Sequence, residues 1–168
     1  LILNSIYSKF IFLVYHNILI PEVEMSISIR TAVPDDCFAI AEIIKDSMGY
    51  DNSPAIIKKN LEKLSNKDSD IILIAEYNNQ PVGFIHAEEY NSLYSEVLKD
   101  IISLAVKEKY QHLKIGTALM NAVEKWAIET GRCGVKVLSH DIRTGAHRFY
   151  KHLGFCYEKT QLNFVKEF

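Results

Sequence analysis

The sequence has no C-x-x-C pair, and its three cysteines, Cys37, Cys133 and Cys156, are widely spaced and odd in number. That excludes a disulfide framework and a thiolate zinc site, and it fits a reducing, cytoplasmic setting. Each cysteine is expected to act as a small buried apolar residue, with a catalytic thiol as the alternative. An excess of basic charge is also missing: 19 Lys and Arg face 21 Asp and Glu, a net charge of −2. No global attraction to nucleic acid follows, so any basic character that matters is local. The longest uncharged run, Phe10 to Pro21, is shorter than the roughly 20 apolar residues a membrane span needs, and His16 and Asn17 interrupt it. Six histidines occur without an H-x-x-x-H or H-E-x-x-H on a helix, so no metal is expected.

Repeats, low-complexity tracts and internal linkers are absent too, which points to one domain. At 168 residues the chain is long enough to bury roughly two thirds of its unfolded surface. Residues 1–24 differ from the rest: they hold the uncharged run, with Lys9 a weak version of a signal's basic start and no small-residue cleavage site. They are expected to be an appendage ahead of a domain over 25–168, with a peripheral membrane anchor as the alternative. No stable membrane insertion is expected.

What is present is clear periodicity. Ile27, Ile29 and Thr31 alternate with Ser26, Ser28 and Arg30, a half-buried strand. Pro34, Asp35 and Asp36 open a helix that runs to about Met48, and a more polar helix follows over 56–64. Strands are predicted over 70–77, 82–90 and 100–106. Ile115, Ala118, Leu119, Ala122, Val123 and Trp126 form one apolar stripe on a helix over 114–130, with Gly131 just past its end. A strand over 134–140, a helix over 143–153 and a closing strand complete the order β-α-α-β-β-β-α-β-α-β. A helix between strands 100–106 and 134–140 suggests a crossover with parallel neighbours. The fold class is mixed α/β.

The turn before the long helix, "KEKYQHLKIG", carries Lys107, Lys109 and Lys114 against Glu108 alone. Unpaired N–H groups at a helix start suit a phosphate, although a lone Gly116 is a weak signal and an ordinary helix start fits as well. The segment "RTGAHRFYKHLGF" adds specificity. Ala146, Phe149, Tyr150, Gly154 and Phe155 fit A-x-x-F-Y-x-x-x-G-F, and Val106, Tyr110, Gln111, Gly116 and Leu119 fit V-x-x-x-Y-[QR]-x-x-G-x-G-x-x-L. Both motifs resemble those of the GNAT superfamily, the Gcn5-related N-acetyltransferases, and the element order over 26–168 is similar to the GNAT fold. Lys159, Thr160, Gln161, Phe164 and Lys166 further resemble the tail of a small bacterial subgroup.

The resemblance implies acetyl-CoA as cosubstrate and direct transfer to a primary amine, on a small molecule or a peptide, within a ternary complex. It places backbone N–H groups of Gln111, His112, Leu113, Lys114, Ile115, Gly116 and Thr117 around the pyrophosphate. It places Leu104, Ala105 and Val106 against the pantetheine arm, near the nascent oxyanion. Lys114 stands where the family has its first glycine. A left-handed Lys114 would cost about 1–2 kcal/mol, so a right-handed φ with the side chain turned outward is expected. Tyr150 matches the tyrosine that often protonates the departing thiolate; the plain alternative is a buried tyrosine with a hydrogen-bonded hydroxyl. Asp100, six residues before Val106, is the candidate general base, with Glu96 or a water chain as alternatives. Arg143, His147 and Lys151 form a basic stripe at helical spacing, read either as a solvated face or as a contact to the CoA phosphates. His86 either lines the acceptor cleft or simply occupies a sheet position. Segments 46–54 and 89–99, with Tyr50, Tyr90 and Tyr94 among acids, suit a cationic acceptor. A catalytically weak acyl-CoA-binding or partner-binding module on the same fold is the rival function, and a homodimer is left open.

Overall fold

Alternating side chains of the sheet serve two separate cores. The structure, a computed structural model, describes residues 26–168, so the expectation for residues 1–24 lies outside it. Strands β1 (Ile27–Thr31), β2 (Asp70–Tyr77), β3 (Gln80–Tyr90), β4 (Leu98–Val106) and β5 (Val135–Val137) form one sheet in the order β1-β2-β3-β4-β5. The first four are an antiparallel meander, and β5 runs parallel to β4. Helices α1 (Cys37–Met48), α2 (Pro54–Leu64), α3 (Ile115–Glu129) and α4 (Thr144–His152) are the described α-helices, with short 3-10 turns at Pro34–Asp36 and Glu108–Tyr110.

Leu73, Ala75, Ile85 and Ile101 pack with Ile115, Leu119, Met120 and Val123 of α3, and Phe149 and Tyr150 of α4 join this cluster. On the other face Ile72, Ile74, Phe84 and Ala105 pack with Cys37, Ile40 and Ile43 of α1 and Leu61 of α2. Neighbours along β2 thus go to opposite cores, as the period of two requires. Each fully buried aliphatic side chain contributes roughly 1.5–3 kcal/mol. Helix α3 owes its place to the apolar stripe read in the sequence, and Gly131 beyond it has φ +69°.

Pro34–Asp36 form a short 3-10 turn ahead of α1. Asp36 there accepts from both terminal nitrogens of Arg30, at 2.7 and 2.8 Å, and from the Val33 N–H at 2.8 Å. Burial pushes the Asp36 carboxyl upward, but Arg30 and the Val33 N–H together hold it below its ordinary value.

A β-bulge divides β4. His86 pairs with Ser103 and Ala87 with Ile101, which leaves Ile102 as an extra residue, half exposed. Before the bulge, β4 is paired on both sides, because Lys99, Asp100 and Ile101 match Val135, Lys136 and Val137. After it, β4 keeps β3 and has no described strand on its other side.

Three expectations are corrected. The strand placed over 134–140 is only Val135–Val137, because β5 leaves β4 where the bulge begins. The closing strand is not formed. Residues 155–168 have no strand, Gly154 turns the chain at φ +91°, and a three-residue β5 offers little edge to pair with. Of the cysteines only Cys37 is buried; Cys133 lies in the turn after α3 and Cys156 in the tail, both exposed.

Candidate active site

The loop from β4 into α3 is strained in a specific way. His112 (φ 64°) and Lys114 (φ 62°) are both left-handed, at about 1–2 kcal/mol each for a side-chain-bearing residue. The right-handed φ expected of Lys114 is therefore wrong. The turn needs a left-handed residue at the N-cap of α3, the position the family fills with glycine, and here Lys114 supplies it at ψ 10°. Among the described residues no carbonyl accepts a backbone hydrogen bond from His112 through Thr117; the ladder resumes with Ala118 donating to Lys114 at 2.9 Å. A run of unpaired donors thus faces solvent at the positive end of a fifteen-residue helix.

Gln111 to Lys114 are exposed, whereas Ile115 is buried and anchors the turn. Gly116 is needed for close approach, since a Cβ there would lie 3.2 Å from Phe149 Cζ. The glycine and the F-Y dipeptide of the two motifs are therefore one contact between α3 and α4. The loop is also tied to α1: Lys107 pairs with Glu42 at 2.9 Å, and the Glu108 N–H donates to Asp46 at 2.7 Å. Lys107 is thereby neutralised, and Lys114 has no ion-pair partner among the described residues.

The unpaired half of β4 leads into this cradle. The Lys107 N–H donates to Val82, so by the alternation of an antiparallel pair Leu104 and Val106 turn their backbone groups away from β3, into the gap. Ala105 between them is buried against α1. The Val106 carbonyl accepts weakly from the Gln111 side chain at 3.3 Å.

Tyr150 lies on the α3/α4 side of the sheet, packed edge-on against Phe149 at 5.4 Å and tilted against Phe155 at 5.7 Å. Burial raises its pKa, opposed in part by the charge of Arg143. The phenol is thus protonated throughout the physiological range. Among the described residues no protein group hydrogen-bonds its hydroxyl, and the hydroxyl is not among the buried unpaired atoms. On the same helix Arg143 and Lys151 are exposed, and His147 Nε2 lies 3.0 Å from the His140 carbonyl.

Asp100 belongs to the closed half of β4. It forms a cross-sheet row with Asp70, Glu88 and Lys136, whose Cα positions are successive partners across β2, β3, β4 and β5. Its Oδ2 is ion-paired with Lys136, and its buried Oδ1 has no partner among the described residues. Glu96 is exposed in the loop before β4. His86 projects from the same face as this row, with Nε2 3.1 Å from Asp70 Oδ1. The Asp70 side chain is only 2% exposed and also accepts from Ser69 Oγ at 2.7 Å. Sequence reading passed over Asp70, Glu88 and Lys136; period-two alternation alone does not align residues across strands.

A second polar cluster sits on the α3 face. Lys99 is fully buried, with Nζ 3.0 Å from Glu89 and 3.2 Å from the centre of the Trp126 ring. Arg132 Nε donates to the same Glu89 oxygen at 2.9 Å, and the two cations hold the Glu89 carboxyl below its ordinary value. Beside it, a cleft of about 340 Å³ lined by Ala127, Arg132, Val135 and Leu153 opens at the far end of α3 from the cradle.

A model of the acetyltransferase (GNAT) family matches residues 38–155, and the chain belongs to that family. An uncharacterised N-acetyltransferase of Methanocaldococcus jannaschii is 29% identical over 135 residues, 76% of this chain and 60% of that protein. The chain thus spans about 60% of the length of that relative. A transcriptional regulator from Bacillus halodurans superposes with a TM-score of 0.72 at 18% identity, over 83% of this chain and 100% of its own. An aminoglycoside N-acetyltransferase in complex with CoA gives 0.74 at 17% identity, over 89% and 99%. At such identities the two structures establish a shared fold. Among the described residues no helix is long and apolar enough to cross a membrane.

Proposed function

We propose that the chain is an acetyl-CoA-dependent N-acetyltransferase that passes the acetyl group directly to a primary amine within a ternary complex. One observation carries this reading: the unpaired N–H run from His112 to Thr117 opens onto the unpaired edge of β4 at Leu104 and Val106. A pyrophosphate answers the first and an amide-bearing pantetheine arm the second. That a structural neighbour holds CoA supports the assignment. Arg143, His147 and Lys151 extend the basic surface on α4 toward the same phosphates.

In this reading the neutral amine attacks the thioester carbonyl in the gap, its N–H proton passes to a base or to solvent as the N–C bond forms, and a free N–H of β4 stabilises the oxyanion. The C–S bond then breaks, and Tyr150 gives its phenolic proton to the departing thiolate. Asp100, whose Oδ2 is bound to Lys136 in the closed half of β4, has no part in this step. The acceptor is a small molecule or peptide bearing a cationic amine. Calorimetry with acetyl-CoA and CoA, followed by thiol release with polyamines, aminoglycosides, amino acids and peptides, tests the reading. Saturable binding with turnover on one class supports it. Binding without turnover favours the acyl-CoA-binding module, and binding of neither ligand refutes both.

A further inference from the structure

We infer that His86 is the proton acceptor for the attacking amine and that buried Asp70 is its positioning residue. The inference rests on the proposed acetyl transfer and deepens it. The argument starts from the register of the sheet. The row of Asp70, Glu88, Asp100 and Lys136 crosses the sheet where β4 and β5 are still paired, so Asp100 lies in a closed region, 8% exposed and bound to Lys136. His86 lies two residues closer to the opening along β3. Its partner is Ser103, the first residue after the bulge, where β4 has already lost β5. Cross-strand partners on one face have Cβ atoms roughly 4.5–5.5 Å apart. His86 therefore stands one strand from Leu104, the backbone proposed to orient the thioester, with Nε2 of its ring held by Asp70 on β2.

Face and tautomer agree with that position. His86 shares the face of Phe84, on the α1/α2 side, whereas Tyr150 packs on the α3/α4 side. A base and an acid on opposite faces meet only where the sheet is open, and the gap beyond Ile101 and Val137 is that place. An ionised carboxylate only accepts, so Asp70 places the ring proton on Nε2 and leaves the Nδ1 lone pair free. Asp70 itself is locked by Ser69 and by burial, which fixes the ring. Charged groups on this face include Glu88, Asp100 and Lys136 in the cross-sheet row, and Arg30 with its ion-pair partners Asp36 and Glu76 toward the β1 edge. The step balances as follows. The amine N–H proton passes to Nδ1 as the N–C bond forms, the C–S bond breaks, the thiolate takes the Tyr150 proton, and the imidazolium returns its proton to solvent.

The test uses the full chain, acetyl-CoA, and n-propylamine, spermidine, lysine amide and kanamycin as probe amines, read by thiol release and by calorimetry of acetyl-CoA binding. His86→Ala and His86→Gln are expected to lower kcat about 10²–10⁴-fold with acetyl-CoA affinity unchanged. Added imidazole is expected to restore part of the His86→Ala rate and to leave wild type unaffected. Asp70→Asn is expected to lose about tenfold or more, with Asp70→Glu recovering most of it. Turnover of both His86 variants within threefold of wild type overturns the inference, as does a loss that imidazole leaves untouched while binding of acetyl-CoA is intact. Wild type that binds acetyl-CoA yet turns over none of the amines overturns it together with the transferase reading; an active wild type with both His86 variants within threefold of it overturns it alone.

Discussion

The two halves of β4 are built on opposite rules. Before Ile102 the strand is paired on both sides and its charged side chains are ion-paired, Lys99 with Glu89 and Asp100 with Lys136, although Asp100 Oδ1 has no partner among the described residues. After Ile102 one edge is bare, and the next turn carries two left-handed side-chain-bearing residues and a run of unpaired N–H groups. Two-sided strand pairing and ion pairs in the first half fix the fold. Unsatisfied polar groups in the second half are tolerable because they face solvent or a ligand. A single extra residue separates a structural strand from the proposed binding edge.

The largest expected effect breaks the closed half. Glu89→Ala leaves Lys99 charged and buried, and is expected to cost about 3–5 kcal/mol in urea unfolding. Glu89→Gln, which keeps an acceptor, is expected to cost less. Tyr150→Phe tests the open half: kcat is expected to fall about 10²-fold or more, with acetyl-CoA affinity by calorimetry unchanged. Unchanged turnover would remove Tyr150 from the mechanism.

The Arg30–Asp36 contact ahead of α1 is a third closed network, and it sharpens the contrast through pH. Asp36 is held below its ordinary carboxylate value, so its contribution is complete above about pH 4 and is lost as pH falls through the depressed value. Asp36→Asn is accordingly expected to cost about 1.5–3 kcal/mol at pH 7 and progressively less on acidification. A difference that stays constant across thermal melts from pH 7 to pH 2 would contradict this. The smallest effect belongs to Lys114. Lys114→Gly is expected to raise stability by about 1 kcal/mol through relief of the left-handed φ, while Lys114→Ala keeps the strain. Both are expected to weaken acetyl-CoA binding by a similar factor if the lysine charge faces phosphate. Affinity unchanged in both variants would show that only backbone shape matters.

Most of the fold was legible in the sequence because apolar period decides it: the α3 stripe and the alternation in β1 and β2 place both cores. The two motifs also contained Gly116 and Phe149, whose contact appears only in the structure. Lys114 was misread because a lysine in left-handed backbone is costly, and the sequence does not reveal the turn that imposes it. The dyad of Asp70 and His86 escaped notice because it depends on the register between β2 and β3. The closing strand was expected from β-prone residues such as Phe164 and Val165, yet pairing needs an edge, and β5 provides three residues.

The central claim is that the open half of β4 and the loop before α3 form one acetyl-CoA site. Amide chemical shifts followed during titration with acetyl-CoA test it most directly. The account predicts saturable shifts at Leu104, Val106 and His112 through Thr117, with Lys99 and Glu89 unmoved. Saturable binding that shifts other amides and leaves His112–Thr117 in place would contradict it.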